Sequence, residues 1–202
     1  MTKEYGVKLI EVLTGFKFIG EVIKKHDDVG NGHYLFGFEE SCGYLKGTYA
    51  RDKDAIVASM LVCEMAASLK KQGVTVLEAL ERMYATYGFY LAKVKSIELT
   101  GADAMEKAAK MMADLRDDAP ASIGGAKVNV VNDYLERTST CVDCATVRPI
   151  ELPKSNVLEF VLGDKGSVIA RPSGTEPKVK FYYTAVGKNK AEALTLLNEW
   201  KR

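Results

Sequence analysis

The sequence predicts an α/β region followed by an α+β domain, and the main reason is a change of hydrophobic pattern near residue 88. Before residue 88, short apolar runs alternate with segments of helical periodicity. After it, strand patterns separated by turn residues dominate, with one helix after the first strand and another at the end. This order, β-α-β-β-β-α, predicts a mostly antiparallel four-stranded sheet with two helices on one face. We therefore expect two domains, residues 1–88 and 89–202.

The first region contains two predicted strands with a helix between them. The strands are the apolar runs VKLIEV, residues 7–12, and HYLFGF, residues 33–38. The helix covers residues 15–25, because apolar side chains recur there at helical spacing. The side chains that define its buried face are Phe16, Ile19 and Ile23.

Two further helices complete the first region. The segment 52–72 is apolar on most sides, so we expect a deeply buried helix that ends at the capping residue Gly73. Thr75 and Glu78 have the spacing of a capping box, which predicts the start of the next helix.

The second region combines four predicted strands with two helices. Thr100 and Asp103 have the spacing of a capping box for the first helix, and Asn189 is the predicted N-cap of the last. The side chains of residues 178–185 alternate between apolar and polar, as expected for a strand with one buried face. The four strands are LAKVKSIEL, VLEFVL, SVIAR and KVKFYYTA.

The composition excludes several classes of protein. The chain has 202 residues and a formal net charge of +1, and no basic stripe typical of a nucleic-acid-binding protein. It contains no run of 18 apolar residues and no signal-peptide pattern at its start, so we expect a soluble cytoplasmic protein without a membrane or nucleic-acid partner.

The cysteines give little indication of a metal site. Cys141 and Cys144 form a single CxxC pair, and the two histidines, His26 and His33, lie far from it in sequence. A zinc site would need two more ligands. We expect free thiols in a reducing compartment, with metal or redox use of the CxxC pair as the less favoured alternative.

The stretch RPSGTEP, residues 171–177, has the residue types expected of a phosphate-binding loop. The guanidinium of Arg171 matches phosphate oxygens, and Ser173 and Thr175 add hydroxyl donors. Gly174 has no side chain, so its backbone N–H is open to an anion. The alternative is a connection between two strands that is rich in turn residues for conformational reasons alone.

Three other stretches contain candidate ligand-binding residues. Glu39 and Ser41, within FEESCG, could hydrogen-bond sugar hydroxyls, although a solvated acidic loop is the alternative. Lys53, within RDKD, is poorly placed for the positive end of a helix dipole and is a candidate for an anion. The alternative is that RDKD is only a run of charged surface residues. Thr14 and Gly15 are either a helix cap and turn or part of a ligand-binding loop.

Together, these four stretches resemble one family, the α-D-phosphohexomutases. RPSGTEPKVKFYY is similar to the phosphate-binding loop of the family's last domain, and FGFEESCGY to the sugar-binding loop of its third domain. TGFKFIGE and RDKDA resemble two further contact segments, and all four occur in the family's order. The form GFEES…GY is more similar to the phosphoglucomutase and phosphopentomutase branch than to phosphoglucosamine mutase.

The resemblance implies a phosphosugar mutase. Such enzymes interconvert 1-phospho and 6-phospho hexoses, here glucose or mannose, through a bisphosphorylated intermediate of the glucose 1,6-bisphosphate type, with Mg²⁺ as cofactor. By resemblance, Glu39, Ser41, Thr14 and Gly15 contact the sugar. The phosphate that is not transferred is held by Lys53, Arg171, Ser173, Gly174 and Thr175.

Two motifs of the family are absent from the sequence. The family's phosphoserine lies in a loop of the form Ser-His-Asn-Pro, and its magnesium is held by an Asp-x-Asp-x-Asp-Arg loop; neither occurs here. We therefore expect a C-terminal part of a longer mutase, lacking the start of its third domain and inactive alone, whose natural partners are the N-terminal domains and a phosphosugar. The alternative is a non-catalytic module that binds a phosphosugar as a sensor or scaffold.

Overall fold

The computed structural model describes residues 1–30 and 32–200. The chain forms two compact units, Met1–Arg82 and Met83–Arg202. The first unit contains two helices and a β-hairpin, and a third helix includes the boundary. These elements are α1 Phe16–Val29, β1 Gly37–Glu39, β2 Gly43–Leu45, α2 Ala55–Lys71 and α3 Val76–Tyr87.

Helix α1 carries the small core of the first unit. Phe16 and Ile23 are buried against Leu45 of β2, and Ile19 packs beside them, which confirms the predicted face of this helix. The helix ends at Gly30, whose φ of 68° lies in the left-handed region that glycine adopts without steric cost.

Helix α2 forms where the sequence predicts it, but the prediction of deep burial is wrong. The Asp54 side chain caps its N-terminus by accepting from the backbone N–H groups of Ile56 at 2.7 Å and Val57 at 3.1 Å. No residue of α2 is buried, and the side chains of Ile56 and Met60 are 75% and 59% exposed. A helix that is apolar on most sides needs a neighbour on each side, and within its unit α2 packs mainly on β2.

The capping box of α3 is confirmed, whereas the first predicted strand is wrong. The backbone N–H of Thr75 donates to Glu78 Oε2 at 2.7 Å, and the N–H of Glu78 donates back to Thr75 Oγ1 at 3.1 Å. VKLIEV forms no strand, because no strand of the described chain pairs with it, and HYLFGF contributes only its last two residues to β1. The apolar pattern of VKLIEV therefore predicts a strand that does not form, because the segment has no strand to pair with.

The second unit is built on one antiparallel sheet of seven strands, in the order β3-β11-β10-β9-β6-β7-β8. The four predicted strands are present and adjacent, but the predicted strand number is too low. The elements of the unit are β3 Phe89–Glu98, α4 Ala104–Asp117, β4 Ser122–Ile123, β5 Ala126–Lys127, β6 Val130–Asp133, β7 Thr138–Cys141, β8 Val147–Pro149, β9 Leu158–Val161, β10 Gly166–Pro172, β11 Lys178–Gly187 and α5 Lys190–Trp200.

The three additional strands of the sheet are short and poor in alternating apolar residues. β7 has the sequence TSTC and β8 has the sequence VRP, and β8 is exposed throughout. β6 is recognised as a strand through its pairing with β7 and with β9, where Val131 lies opposite Thr140 and Phe160. A hydrophobic pattern cannot indicate strands whose main contribution is backbone hydrogen bonding.

Helices α4 and α5 pack on one face of this sheet, as predicted. β11 alternates between buried and half-buried positions, so that Val179, Tyr183 and Ala185 face the helices. The buried residues of the two helices in the same core are Ala108, Met112, Leu197 and Trp200. The other face of β11 carries the half-buried side chains of Lys178, Lys180, Tyr182 and Thr184.

The two predicted caps of this unit have different outcomes. Asn189 caps α5, because its Oδ1 accepts from the N–H of Glu192 at 2.9 Å. The predicted capping box of α4 is wrong, because the N-cap residue is Asp103 and not Thr100, and the Asp103 side chain makes no capping hydrogen bond. The Asp103 carboxylate instead pairs with Lys107 Nζ, one turn further along, at 2.9 Å.

The prediction of free thiols is wrong for the CxxC pair. The connection between β7 and β8 brings the Cα atoms of Cys141 and Cys144 to 5.6 Å, within the range for a disulfide, and the two residues are joined by one. Cys42 and Cys63 are free and exposed.

Candidate functional site

The RPSGTEP loop connects β10 to β11 and is organised by its own hydrogen bonds. Ser173 Oγ accepts from the N–H of Thr175 at 3.4 Å and from the N–H of Glu176 at 3.2 Å. The N–H of Ser173 donates to the carbonyl oxygen of Lys178 at 2.9 Å, which closes the loop across its base. The loop therefore has a defined shape before any ligand binds.

Arg171, at the end of β10, lies opposite Lys180 of β11 in the register of the sheet. The two residues are half-buried and lie on the sheet face away from the helices. Two like charges placed directly opposite each other destabilise a sheet, and no carboxylate of the described residues forms an ion pair with either one. An anion bound between them would remove this repulsion.

Sequence reasoning did not select Lys180. The alternation of β11 placed it on the polar face, but the register between β10 and β11 decides that it faces Arg171. Ser173 shapes the loop, while Gly174 and Thr175 are exposed at its tip.

A neighbouring ion pair compensates part of the positive charge. Lys178 Nζ lies 2.6 Å from Glu176 Oε2, and the side chain of Lys178 is 19% exposed. The hydrogen bond from Lys178, with its charge and that of Lys180, holds the pKa of Glu176 below its ordinary value. Lys178 is thus paired with Glu176, whereas no ion pair of the described residues includes Arg171 or Lys180.

In the first unit, Glu39 and Ser41 lie in the tight hairpin between β1 and β2. Glu39 pairs with Gly43, and the N–H of Cys42, whose φ is 64°, donates to the Glu39 carbonyl oxygen at 3.2 Å. A Cβ at Gly43 would lie 2.7 Å from Glu39 Oε1, so the glycine leaves room for the carboxylate. Ser41 is exposed in the three-residue connection.

The remaining candidates of this unit meet at the start of α1. Gly15 is the N-cap residue with a φ of 124°, which favours glycine, and Thr14 precedes it, exposed. Lys53 Nζ lies 5.9 Å from the centre of the Phe16 ring, so the lysine reaches the first turn of the helix. It also pairs with the exposed Asp52 at 3.1 Å.

The segment containing Lys53 is fixed at both of its ends. A Cβ at Gly20 of α1 would lie 2.4 Å from the carbonyl oxygen of Arg51, so only glycine permits this approach. The N–H of Asp54 donates to the carbonyl oxygen of Tyr44 in β2 at 2.8 Å. The structure therefore joins the hairpin, the start of α1 and the lysine segment within one unit.

The described part of the chain contains no fitting metal site and no membrane-spanning helix. Across residues 1–30 and 32–200, no cluster of three or more His, Cys, Asp or Glu side chains could hold a metal ion. Within the same residues, no helix is long and apolar enough to cross a bilayer. These residues therefore do not fit the magnesium that the resemblance implies.

Comparison with known proteins gives consistent matches along the chain. Residues 1–87 match the family model of the phosphoglucomutase/phosphomannomutase alpha/beta/alpha domain III, and residues 93–196 match that of the C-terminal domain. A phosphoglucomutase of Staphylococcus aureus strain RF122 is 42% identical over 177 residues, which are 88% of this chain and 32% of that protein. The phosphoglucomutase of strain MSSA476 is 40% identical over 184 residues, 91% of this chain and 33% of that protein.

A solved structure supports the same fold. The open form of pp63/parafusin, a Paramecium phosphoprotein named as a phosphoglucomutase, aligns with a TM-score of 0.65 and 22% identity, over 98% of this chain and 33% of its own. The chain thus spans about a third of the length of the relatives that it matches. It belongs to the phosphoglucomutase/phosphomannomutase family, of which it contains domain III and the C-terminal domain.

Proposed function

We propose that this chain is the sugar-recognising and phosphate-holding part of a phosphosugar mutase that interconverts 1-phospho and 6-phospho hexoses. Domain III would comprise residues 1–88 and the C-terminal domain residues 89–202. The observation that carries the proposal is the positive pair Arg171 and Lys180 beside a loop that is already folded around Ser173. A phosphate dianion matches both the charge and the donor groups of this arrangement.

The C-terminal domain would hold the phosphate that is not transferred. Phosphoryl transfer depends on positioning and on charge stabilisation, so a fixed grip on the distal phosphate contributes to the rate although it touches no reacting atom. Arg171 would bind the phosphate oxygens in a bidentate manner, and Ser173, Gly174 and Thr175 would add hydroxyl and backbone donors. The resulting grip does not depend on which end of the sugar carries the phosphate.

Domain III would bind the sugar through its hydroxyl groups. The Glu39 carboxylate accepts hydrogen bonds from hydroxyl groups in either orientation of the ring, and Ser41 both donates and accepts. Thr14 and Gly15 would contact the ring from the start of α1, where Lys53 adds a positive charge. The bisphosphorylated intermediate has to reorient within the site. The sugar would therefore contact the same residues in both orientations.

The chemical step would belong to the rest of the parent enzyme. Mg²⁺ and the phosphoserine are expected from loops that the described residues do not contain, and a cytoplasmic location remains a prediction from the sequence. We expect the 202-residue chain to show no phosphoglucomutase turnover in an assay coupled to glucose 6-phosphate oxidation. Turnover above that of an enzyme-free control would contradict this assignment.

Binding to the isolated chain tests the proposal directly. We expect glucose 6-phosphate and glucose 1-phosphate, titrated to millimolar concentrations, to shift the backbone amide resonance of Gly174 in ¹⁵N-labelled protein. Glucose, which lacks the phosphate, is the matched control and should leave this resonance unchanged. If neither phosphosugar moves the Gly174 resonance more than glucose does, the phosphate-binding role is wrong.

A further inference from the structure

The CxxC hairpin between β7 and β8 contains two cysteines that the proposed function does not use. Cys141 ends β7, Cys144 lies in the connection that follows, and a disulfide joins the two residues. In the order of the sheet, β7 lies three strands away from β10, so this hairpin is separate from the RPSGTEP loop. We propose that the Cys141–Cys144 pair is a reversible thiol–disulfide exchange site for a low-molecular-weight thiol.

Solvent access differs between the two cysteines. Cys144 is exposed, whereas Cys141 is half-buried at the end of its strand. Exchange requires an incoming thiolate to reach one sulfur of the disulfide and to displace the other. The exposure of Cys144 therefore makes its Sγ the atom that a thiol from solution attacks, and Cys141 Sγ the atom that leaves.

The hairpin stabilises the leaving sulfur. The backbone N–H of Cys144 donates to Cys141 Sγ at 3.3 Å. A hydrogen bond to sulfur is stronger when the sulfur is charged, so this contact favours the thiolate that forms when the S–S bond breaks. The carboxylate of Asp143, between the two cysteines, forms an ion pair with Lys127, whose hydrogen bond holds the pKa of Asp143 below its ordinary value. This pairing reduces the repulsion between Asp143 and an incoming thiolate.

The backbone keeps the two cysteines close in the reduced state as well. The N–H of Cys141 donates to the carbonyl oxygen of Thr146 at 2.9 Å, and the N–H of Val142 donates to that of Asn129 at 2.8 Å. Neither hydrogen bond involves a sulfur atom, so the distance of 5.6 Å between the Cα atoms of the cysteines does not depend on the cross-link alone. Two thiols held in this way have a high effective concentration for each other, which favours closure of the disulfide within the hairpin.

We expect the fold to be kept in both oxidation states. The disulfide joins residues with a sequence separation of three, and so short a loop restricts the unfolded chain little. The strand that follows it, β8, is exposed throughout and lies at the edge of the sheet, paired only with β7. Among the described residues, no member of the buried core lies within 138–149, so reduction removes no core contact.

The reduction consumes two equivalents of thiol, RSH. The first thiolate attacks Cys144 Sγ, which breaks the S–S bond, forms a mixed disulfide on Cys144 and releases Cys141 as a thiolate. A second thiolate attacks the sulfur of the R group, which forms RSSR and releases the Cys144 thiolate. The two protons lost by RSH pass to the two cysteines, so the protein gains two electrons and two protons while two RSH are oxidised to RSSR. The reverse reaction with RSSR restores the disulfide.

Glutathione mixtures test the proposal in two matched variants of the 202-residue chain. Cys42→Ser/Cys63→Ser keeps only the CxxC pair, whereas Cys141→Ser/Cys144→Ser keeps only the two free and exposed cysteines. Each variant is equilibrated with reduced and oxidised glutathione at rising ratios and alkylated, and its intact mass is measured. We expect the first variant to change from a form without alkyl groups or glutathione to a form with two alkyl groups. The second should carry alkyl groups or glutathione on both cysteines at every ratio.

Two further measurements complete the test on Cys42→Ser/Cys63→Ser. Acid quenching soon after reduced glutathione is added to the oxidised chain should trap the mixed disulfide on Cys144, which fragment-ion spectra locate. The dispersion of the amide spectrum should be retained after reduction. The proposal is overturned if the CxxC pair binds glutathione without forming its disulfide, if the trapped adduct lies on Cys141, or if reduced glutathione opens the disulfide only in urea. None of these outcomes depends on phosphosugar binding, so the proposed function is tested separately.

Discussion

The two units of the chain differ in how much apolar surface they bury. In the second unit, side chains from two helices and the sheet form one continuous core. In the first, the buried cluster consists of Phe16, Ile23 and Leu45, and helix α2 has no buried residue. The helices of the first unit therefore depend largely on local signals such as caps, whereas tertiary packing stabilises the elements of the second.

The candidate ligand contacts follow the same division. The candidate phosphate-binding residues of the second unit lie on and between two strands of the seven-stranded sheet, whose register fixes Arg171 opposite Lys180. The sugar-binding candidates lie in a tight hairpin and at the start of a helix, with little packing around them. Contacts on a rigid sheet are positioned more accurately than contacts on loops, so we expect the candidate phosphate contacts to be better positioned within their unit than the candidate sugar contacts are within theirs.

The largest effect is expected from the core of the second unit. Leu158 in β9 is fully buried, whereas Leu194 in α5 is 42% exposed, so the same truncation can be compared at both positions. We expect Leu158→Ala to lower the free energy of unfolding by about 2–5 kcal/mol, through lost burial and the cavity that remains. Leu194→Ala should cost less than about 1 kcal/mol. Urea denaturation measures both, and equal losses would contradict the packing described for this unit.

The next largest effect concerns the phosphate grip in the full-length parent enzyme. We expect Arg171→Ala to lower kcat/KM by an amount that corresponds to a loss of about 2–4 kcal/mol of transition-state stabilisation, because a charged bidentate contact with the distal phosphate is lost. Arg148→Ala, in the exposed strand β8, is the control and should leave the kinetics unchanged. A loss of less than about threefold for Arg171→Ala in steady-state assays would refute the role in phosphate binding.

A smaller, pH-dependent effect is expected at the start of α2. A hydrogen bond from the Tyr49 hydroxyl, together with those from the N–H groups of Val57 and Ile56, holds the pKa of Asp54 below its ordinary value. The stability that the charged cap contributes is therefore present above the ordinary pKa of aspartate and is lost as the pH falls through the lowered pKa.

Two substitutions at Asp54 distinguish the contribution of the capping hydrogen bonds from the effect of titrating the carboxylate. Asp54→Asn keeps a good N-cap that does not titrate, whereas Asp54→Ala removes the cap at every pH. We expect hydrogen exchange of the Ile56 and Val57 amides at neutral pH to be faster in Asp54→Ala than in Asp54→Asn. Unchanged protection of these two amides in Asp54→Ala would show that the cap contributes nothing to α2.

The smallest effect on stability is expected at the exposed apolar side of α2. Because Ile56 is 75% exposed, we expect Ile56→Ser to change the free energy of unfolding by no more than about 0.5 kcal/mol. The same change at buried Ile23 should be much more costly, since it places a hydroxyl in the core. If Ile56→Ser lowers the free energy of unfolding as much as Ile23→Ser does, the Ile56 side chain is not exposed to solvent.

Several local features could be predicted from the sequence because their causes are local. The α3 capping box, the Asn189 cap and the buried face of α1 all depend on residues within one or two turns of each other. The VKLIEV strand and the burial of α2 were predicted wrongly, because both depend on a neighbouring element that a sequence pattern does not specify. The additional strands β6 to β8 were missed since they lack apolar alternation.

The two-region organisation, all five helices and the residue types expected of a phosphate-binding loop could be predicted from the sequence alone, because they follow from periodicity and side-chain chemistry. Only the tertiary structure decided that Lys180 faces Arg171 and that Asn156 is oriented by Arg116 and Asp133. Both arrangements join residues distant in sequence, through strand register or side-chain hydrogen bonds. Such contacts depend on how the elements pack together, which local sequence patterns do not encode.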